Sequence, residues 1–139
     1  MEGFKDHVIV CGYGIVGERI VDILLEHKVN VVVIETDHKK VEVLRDRGIP
    51  VVEGDATTSK ALKEAGIADA KAIAIAMDDD AKNLFATITA KSLNENIIIA
   101  TRANDDLFET KLTDAGANFV ATPNKSASDE LFNEIIKGL

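Results

Sequence analysis

The sequence predicts an α/β protein built around a parallel sheet, and three observations lead to this prediction. Short apolar runs alternate with longer segments of helical period from end to end, which is typical of strand-helix-strand units. Runs such as residues 31–34 and 97–99 lack strict apolar-polar alternation, as strands buried on both faces do. The length of 139 residues and a hydrophobic content of 46% suit one compact domain. We therefore expect a single domain over residues 1–139.

Six strand-helix units follow one another along the chain. Strands are predicted at residues 7–11, 30–34, 50–52, 70–76, 96–102 and 118–121. Helices are predicted at residues 15–27, 39–47, 59–65, 79–93, 106–115 and 126–137. Gly48, Gly66 and Gly116 are placed to end helices, because glycine readily takes the left-handed conformation. Right-handed crossovers and two three-strand halves give a Rossmann-type, doubly wound, six-stranded sheet in the order 3-2-1-4-5-6.

Composition excludes several kinds of partner. Acidic residues outnumber basic ones by 24 to 16, the net charge is -8, and aromatic residues make up 4% with no tryptophan. Nucleic-acid binding needs surplus cations and aromatic platforms, so we expect no nucleic-acid partner. The apolar runs are shorter than the roughly 18 residues of a membrane span, and no secretion signal pattern opens the chain. With Cys11 as its single cysteine, the chain is predicted to be cytoplasmic and free of disulfides.

A glycine-rich motif lies between the first predicted strand and the first predicted helix. Its residues are Gly12, Tyr13, Gly14, Ile15, Val16 and Gly17. In this context the spacing is typical of a dinucleotide-binding loop. Gly12 would make the tight turn, Gly14 would let the backbone approach a pyrophosphate, and Gly17 would let helix and strand pack closely. The free N–H groups of the helix N-terminus would bind the phosphates without Lys or Arg.

Glu35 ends the second predicted strand, where a carboxylate accepts hydrogen bonds from ribose hydroxyls and repels a 2′-phosphate. This position of Glu35 favours NAD or NADH over NADP as the ligand. The alternative to a nucleotide site is a structural role, in which the glycines form a tight turn and Glu35 is a solvated acid.

The glycines do not form an ATPase P-loop, because Glu18-Arg19 replaces the required Lys-Ser or Lys-Thr. A short-chain dehydrogenase needs a lysine four residues after its catalytic tyrosine. The only tyrosine of this chain is Tyr13, and the residue four positions later is Gly17, so this enzyme class is excluded.

Other polar residues are interpreted as structural. Asp78, Asp79 and Asp80 follow the fourth strand, and we favour N-capping of the next helix over a divalent cation site. The histidines are expected at the surface or at helix ends, since none has a partner at metal-ligand spacing. They are His7, His27 and His38. Cys11 is predicted to be a small, inert core residue, so no catalytic or metal-ligating residue is predicted.

Four motifs at the ends of four different strands carry a family resemblance. They read HVIVCGYG at residues 7–14, GDAT at 54–57, DDD at 78–80 with NL at 83–84, and ATRAND at 100–105. Together they resemble the N-terminal RCK subdomain, the regulator of potassium conductance found on potassium channels and on Trk-type and Ktr-type uptake regulators. The resemblance implies a sensor without catalysis at the cytoplasmic face of the membrane, which dimerises and often assembles into a ring that gates a pore.

The resemblance also implies roles for individual residues. Asp55 and Ala56 correspond to the adenine edge. Met77 and Asp78 correspond to the distal phosphate or second nucleoside, and Arg102 to a strand-end arginine near the ligand. These residues complete the predicted nucleotide site.

Departures from the family pattern narrow the choice of ligand. ATP-responsive members often have arginine where this chain has Ile15, so NAD, NADH, ADP or AMP is favoured over ATP. Calcium-gated relatives carry acids after the fifth strand, where this chain has Thr101 and Ala103. No calcium site of that type is expected.

The predicted helix within residues 126–139 has an apolar stripe at helical spacing. The stripe consists of Leu131, Phe132, Ile135, Ile136 and Leu139. Either the chain's own sheet or a partner subunit would cover it, and the resemblance favours the partner. We thus predict a homodimeric, nucleotide-sensing regulatory domain whose membrane partner is a potassium channel or transporter. A small NAD-dependent oxidoreductase and a free-standing nucleotide or redox sensor are the alternatives.

Overall fold

A computed structural model describes residues 4–139 as alternating strands and helices. The strands are β1 Val8–Cys11, β2 Val31–Glu35, β3 Val51–Glu53, β4 Ala72–Ile75, β5 Ile98–Arg102 and β6 Phe119–Ala121. The helices are α1 Ile15–Glu26, α2 His38–Asp46, α3 Ser59–Glu64, α4 Asp80–Leu93, α5 Leu107–Asp114 and α6 Pro123–Lys137. A 3-10 turn at Ile67–Asp69, which the sequence did not predict, follows α3.

The six strands form one parallel sheet in the order β3-β2-β1-β4-β5-β6. This confirms the predicted doubly wound architecture. Gly48, Gly66 and Gly116 have φ values of 72°, 76° and 116° directly after helices, as predicted. The last helix starts earlier than predicted, at Pro123, because the fixed φ of proline suits the first turn of a helix.

Helices cover the two faces of the sheet unequally. One face carries the larger core, which includes Ile9, Ile73 and Ile99 and packs against α3, α4 and α5. The opposite face carries a smaller core around Val10 and Val33, covered by α1 and α2. These two helices lie over the β1–β3 half of that face, and the core beneath them extends as far as Ala74 of β4.

The other half of that face, over β4–β6, is the open half-face. Side chains alternate along a strand, so the neighbours of Ile73 and Ile99 point to this side. They are Ala72, Ala74, Ile98 and Ala100. On β6, Phe119 and Ala121 are in register with Ala100 and Arg102 and point to the same side. Ile98 is 51% exposed and Phe119 is 64% exposed, so a partly apolar surface faces solvent here.

Helix α6 also lacks a cover within residues 4–139, since none of its residues is buried. The apolar stripe is between 50% exposed, at Ile136, and 90% exposed, at Leu139. The chain's own sheet therefore does not cover it. Among residues 4–139, no helix combines the length and apolar character that crossing a bilayer requires.

One predicted surface residue is buried. His7 has no exposed surface, and its Nε2 donates to the carbonyl oxygen of Ala65 at 2.7 Å. The surface prediction for His7 is wrong because the residue precedes a central strand and the chain after α3 folds over it. His27 caps α1 through the carbonyl oxygen of Ile23 at 2.9 Å, and His38 is exposed.

Candidate functional site

A cavity of about 610 Å³ opens at the carboxyl ends of β1–β5. Its volume falls within the usual range for small-molecule sites. The strand order reverses between β1 and β4, and ligands of open α/β sheets bind at such a switch point. The fold thus places the cavity where the motif predicts a ligand.

The three glycines of the loop have different structural roles. Gly12 has a φ of +92°, and its N–H donates to the carbonyl oxygen of Ile34 at 2.9 Å. A Cβ on Gly17 would lie 1.9 Å from the Gly12 oxygen, so helix and loop pack too closely for a side chain. A Cβ on Gly14 would meet nothing within 4 Å. Gly14 therefore borders open space rather than protein.

The N-terminus of α1 begins at this loop. Gly14 is the N-cap and provides no side-chain hydrogen bond, so the first N–H groups of α1 are free to bind an anion. Ile15 is 91% exposed and lines the cavity. The helix dipole favours negative charge at this end.

The Glu35 carboxylate is held by the backbone on both sides. Its Oε1 accepts from the N–H of Tyr13 and its Oε2 from the N–H of Asp37, both at 2.8 Å. The residue is 9% exposed and lines the cavity. Each carboxylate oxygen has further lone pairs, so the fixed group is able to accept hydrogen bonds from two neighbouring hydroxyls.

The loop after β3 lies beside Glu35. The N–H of Gly54 donates to the backbone oxygen of Glu35 at 3.0 Å. Asp55 accepts from the Thr57 N–H at 2.9 Å and from its hydroxyl at 2.7 Å. These hydrogen bonds lower the pKa of Asp55, with a smaller contribution from Lys82. Ala56 is 3% exposed and forms part of the wall.

The far end of the cavity lies over β4 and β5. The buried Asn83 accepts from the Met77 N–H at 3.2 Å and donates to the carbonyl oxygens of Met77 and Arg102 at 2.9 and 3.1 Å. Its amide group joins the two strand ends. The Arg102 Nη2 donates to Asn104 at 2.7 Å, while its Nε is buried without a hydrogen-bond partner in the described residues. The guanidinium thus has unused donor capacity at the cavity.

Most of the predicted site residues meet at the cavity. Those lining it are Gly12, Tyr13, Gly14, Ile15, Glu35, Asp55, Ala56, Met77, Asp78 and Arg102. Val16 and Gly17 are not in the lining. Lining residues not predicted as part of the site are Ile34, Thr36, Asp37, Lys40, Gly54, Ala76 and Lys82. Of these, Lys82 lies in the first turn of α4, and the aspartates before it were the sequence signal for that helix start.

The acidic run after β4 has structural partners. Asp79 is the N-cap of α4 and accepts from the Lys82 N–H at 3.0 Å, which confirms the capping prediction. Asp80 accepts from the N–H groups of Asn104 and Asp105 at 2.7 and 2.8 Å. It therefore ties the loop after β4 to the loop after β5. In the part of the chain that the structure describes, no group of three acidic, His or Cys residues is placed to hold a metal ion.

We expect Asp80→Asn to lower the free energy of unfolding by about 1–3 kcal/mol, because its NH2 group would face a backbone N–H donor. Asp79→Asn is the matched control, since asparagine caps helices about as well as aspartate. Urea denaturation of both variants and the wild type measures the difference. Equal stability of the two variants would contradict a structural role for the Asp80 contacts.

The fold and the cavity define a Rossmann-type α/β domain with a ligand site at its switch point. The TrkA-N domain family matches residues 8–123, and the chain belongs to this family. The predicted RCK-type identity is thereby confirmed.

Two curated relatives are named as potassium channel proteins. Probable potassium channel protein 2 of Methanocaldococcus jannaschii is 36% identical over 123 residues, covering 86% of this chain and 36% of that protein. The TrkA-N domain of the Escherichia coli inner membrane protein ybaL has a TM-score of 0.90 at 27% identity, covering 94% of this chain and 97% of that one. The GsuK channel bound to NAD shares the fold, with a TM-score of 0.79 at 22% identity over 87% of this chain and 22% of that one. The chain spans 20% to 36% of the length of three curated relatives that it matches.

Proposed function

We propose that this chain is a regulatory domain that binds an adenine nucleotide or dinucleotide and thereby controls a potassium channel or transporter. The observation that carries the proposal is the cavity at the switch point, which combines the glycine loop, the free N-terminus of α1 and the fixed Glu35 carboxylate. Membership of the TrkA-N family supports the link to potassium transport. NAD or NADH is the first candidate, and ADP, AMP and ATP are the others.

The arrangement of the cavity suits a ligand that extends across the switch point. Glu35 and Asp55 lie at the ends of β2 and β3, where an adenosine would place its ribose and base. Gly14 and the α1 N-terminus lie at the centre and would receive the pyrophosphate. Met77 and Arg102, over β4 and β5, would meet the distal phosphate or second nucleoside.

The chemistry of the chain supports sensing rather than catalysis. Tyr13, the only tyrosine, is 5% exposed, and its hydroxyl accepts a hydrogen bond from Arg47. Cys11, the only cysteine, is fully buried, and burial raises the pKa of its thiol to about 12. Such a thiol is inert, which disfavours the redox-sensor alternative. The buried phenol disfavours a hydride-transfer role in which tyrosine protonates the substrate.

We also propose the assembly and location of the domain. The uncovered α6 stripe and the open half-face offer apolar surfaces to a second copy of the chain. A homodimer, alone or within a ring, would then act at the cytoplasmic face of the membrane on a channel or transporter subunit. Residues 126–139 would form the subunit contact of an otherwise single nucleotide-binding domain.

Thermal unfolding in the presence of NAD, NADH, NADP, ATP, ADP and AMP tests the proposed function. At about 100 times its dissociation constant, a ligand stabilises the native state by about 2.7 kcal/mol. We expect a raised melting temperature with NAD or NADH. Failure of every nucleotide to stabilise the protein at millimolar concentration would overturn the proposal.

In the same assay, Glu35→Gln should lower the ratio of NAD to NADP affinity by about tenfold, which is about 1.4 kcal/mol. It removes a charge that repels the 2′-phosphate and an acceptor for the 2′-hydroxyl. The ratio is the diagnostic quantity, because the new NH2 group must also face the N–H of Tyr13 or Asp37. Glu53→Gln is the matched control, since Glu53 pairs with Glu35 in the sheet but is not in the cavity lining. Equal ratios in the two variants would place the ribose elsewhere.

A further inference from the structure

Tyr13 lines the cavity as part of the glycine loop, but its ring packs into the core beneath the loop. It lies between Gly12 and Gly14 and is 5% exposed. Its ring belongs to the smaller core, with Val10 and Val21. Because a tyrosine side chain has only two torsions, the position of its hydroxyl constrains the position of its backbone. The ring therefore anchors the loop to the protein beneath it.

A single cation holds the far end of this anchor. The Arg47 Nη1 donates to the Tyr13 hydroxyl, and its Nη2 donates to the Asp22 carboxylate at 2.9 Å. The hydrogen bond with Asp22 is the main cause that raises the pKa of Arg47. Asp22 lies in α1, and Arg47 is the C-cap of α2. Arg47 thus joins both helices to the glycine loop.

The near end of the anchor contacts the Glu35 carboxylate, the proposed ribose-binding group. The Tyr13 N–H donates to Oε1 of Glu35. Oε2 of Glu35 accepts from the N–H of Asp37, which is the N-cap of α2. Helix α2 is therefore linked to the site at both ends: at its start through Asp37, and at its end through Arg47 and Tyr13. The orientation of Glu35 depends on both links.

We propose that Arg47 is a positioning residue for the nucleotide site. By holding the Tyr13 hydroxyl, it keeps the glycine loop and the Glu35 carboxylate in the geometry that receives pyrophosphate and ribose. Its side chain is 40% exposed and is not in the cavity lining, so it acts without touching the ligand. An exposed ion pair such as Arg47–Asp22 contributes little to stability. The main effect of Arg47 is therefore on the position of the glycine loop. The inference rests on the proposed function for the identity of the ligand.

The first test measures the loop without ligand. In Arg47→Met we expect the Tyr13 amide to exchange its hydrogen about tenfold faster, because local opening of the loop becomes easier. Arg45→Met is the matched control, since Arg45 lies in the last turn of the same helix and is exposed. Equal exchange at Tyr13 in the two variants would overturn the inference.

The second test measures binding by titration with NAD. Arg47→Met and Tyr13→Phe should each weaken NAD binding about fivefold, the scale of one hydrogen bond. The double variant should lose no more than either single variant, because the same contact is removed. A purely structural role would lower the melting temperature but leave Tyr13 exchange and NAD affinity at wild-type values, which would contradict the inference. If the wild type binds no nucleotide, the proposed function fails, and the exchange comparison alone decides whether Arg47 holds the loop.

Discussion

Replacing Gly14 with alanine is expected to weaken NAD binding about 100-fold, which is about 2.7 kcal/mol. The added methyl group would occupy the open space that borders the α1 N-terminus, where the pyrophosphate must approach the backbone. The free protein should tolerate the change. Gly14 has a φ of -85°, and its Cβ would have no neighbour within 4 Å. We therefore expect the free energy of unfolding to change by less than about 1 kcal/mol.

Gly17→Ala provides the contrast, because its Cβ would lie 1.9 Å from the Gly12 oxygen. We expect it to destabilise the folded protein by at least about 1–3 kcal/mol, as overpacking does. Calorimetry with NAD separates the two effects when it is combined with thermal unfolding of each variant. Wild-type affinity in Gly14→Ala would show that the pyrophosphate does not approach this loop.

The sequence predicts the part of the site that local chemistry determines. Gly12 has a left-handed φ, and Gly17 has no space for a side chain beside the Gly12 oxygen. Both positions therefore require glycine for local reasons, independently of contacts elsewhere in the chain. The capping role of Asp79 likewise depends only on the following helix. Because every strand of a parallel sheet ends at the same edge, residues that follow different strands, such as Glu35 and Arg102, were expected to meet.

Contacts between distant segments could not be read from the sequence. The link between Tyr13 and Arg47 joins the first loop to the end of α2, and no spacing rule connects these positions. His7 is polar, and its burial becomes evident only once Ala65 provides a carbonyl acceptor. Lys82 reaches the cavity only through the orientation of α4. In each case the partner depends on packing between elements rather than on local propensity.

The exposed surface of α6 leads to the second large expected effect, the loss of self-association in Phe132→Asp/Ile136→Asp. The two side chains are 59% and 50% exposed in the single chain, so the substitutions should leave its fold intact. At roughly 1.5–3 kcal/mol for each fully exposed side chain that becomes buried, covering the part of the five-residue stripe that is still exposed is worth roughly 5–10 kcal/mol. Part of this offsets the entropy lost on association.

Two carboxylates placed in that contact would have to be desolvated without a partner, at a cost that exceeds the gain from the remaining apolar side chains. Sedimentation should therefore show a wild-type dimer or larger assembly and a monomeric double variant, with NAD binding retained at the distant glycine loop. Ser126→Asp/Asn133→Asp is the matched control, because it adds the same charge to exposed positions of the same helix outside the stripe. A monomeric wild type, or equal association of the two double variants, would show that the stripe is not a subunit contact. If only the stripe variant dissociates, a nucleotide that changes the geometry of the loops above the sheet has a second subunit on which to act.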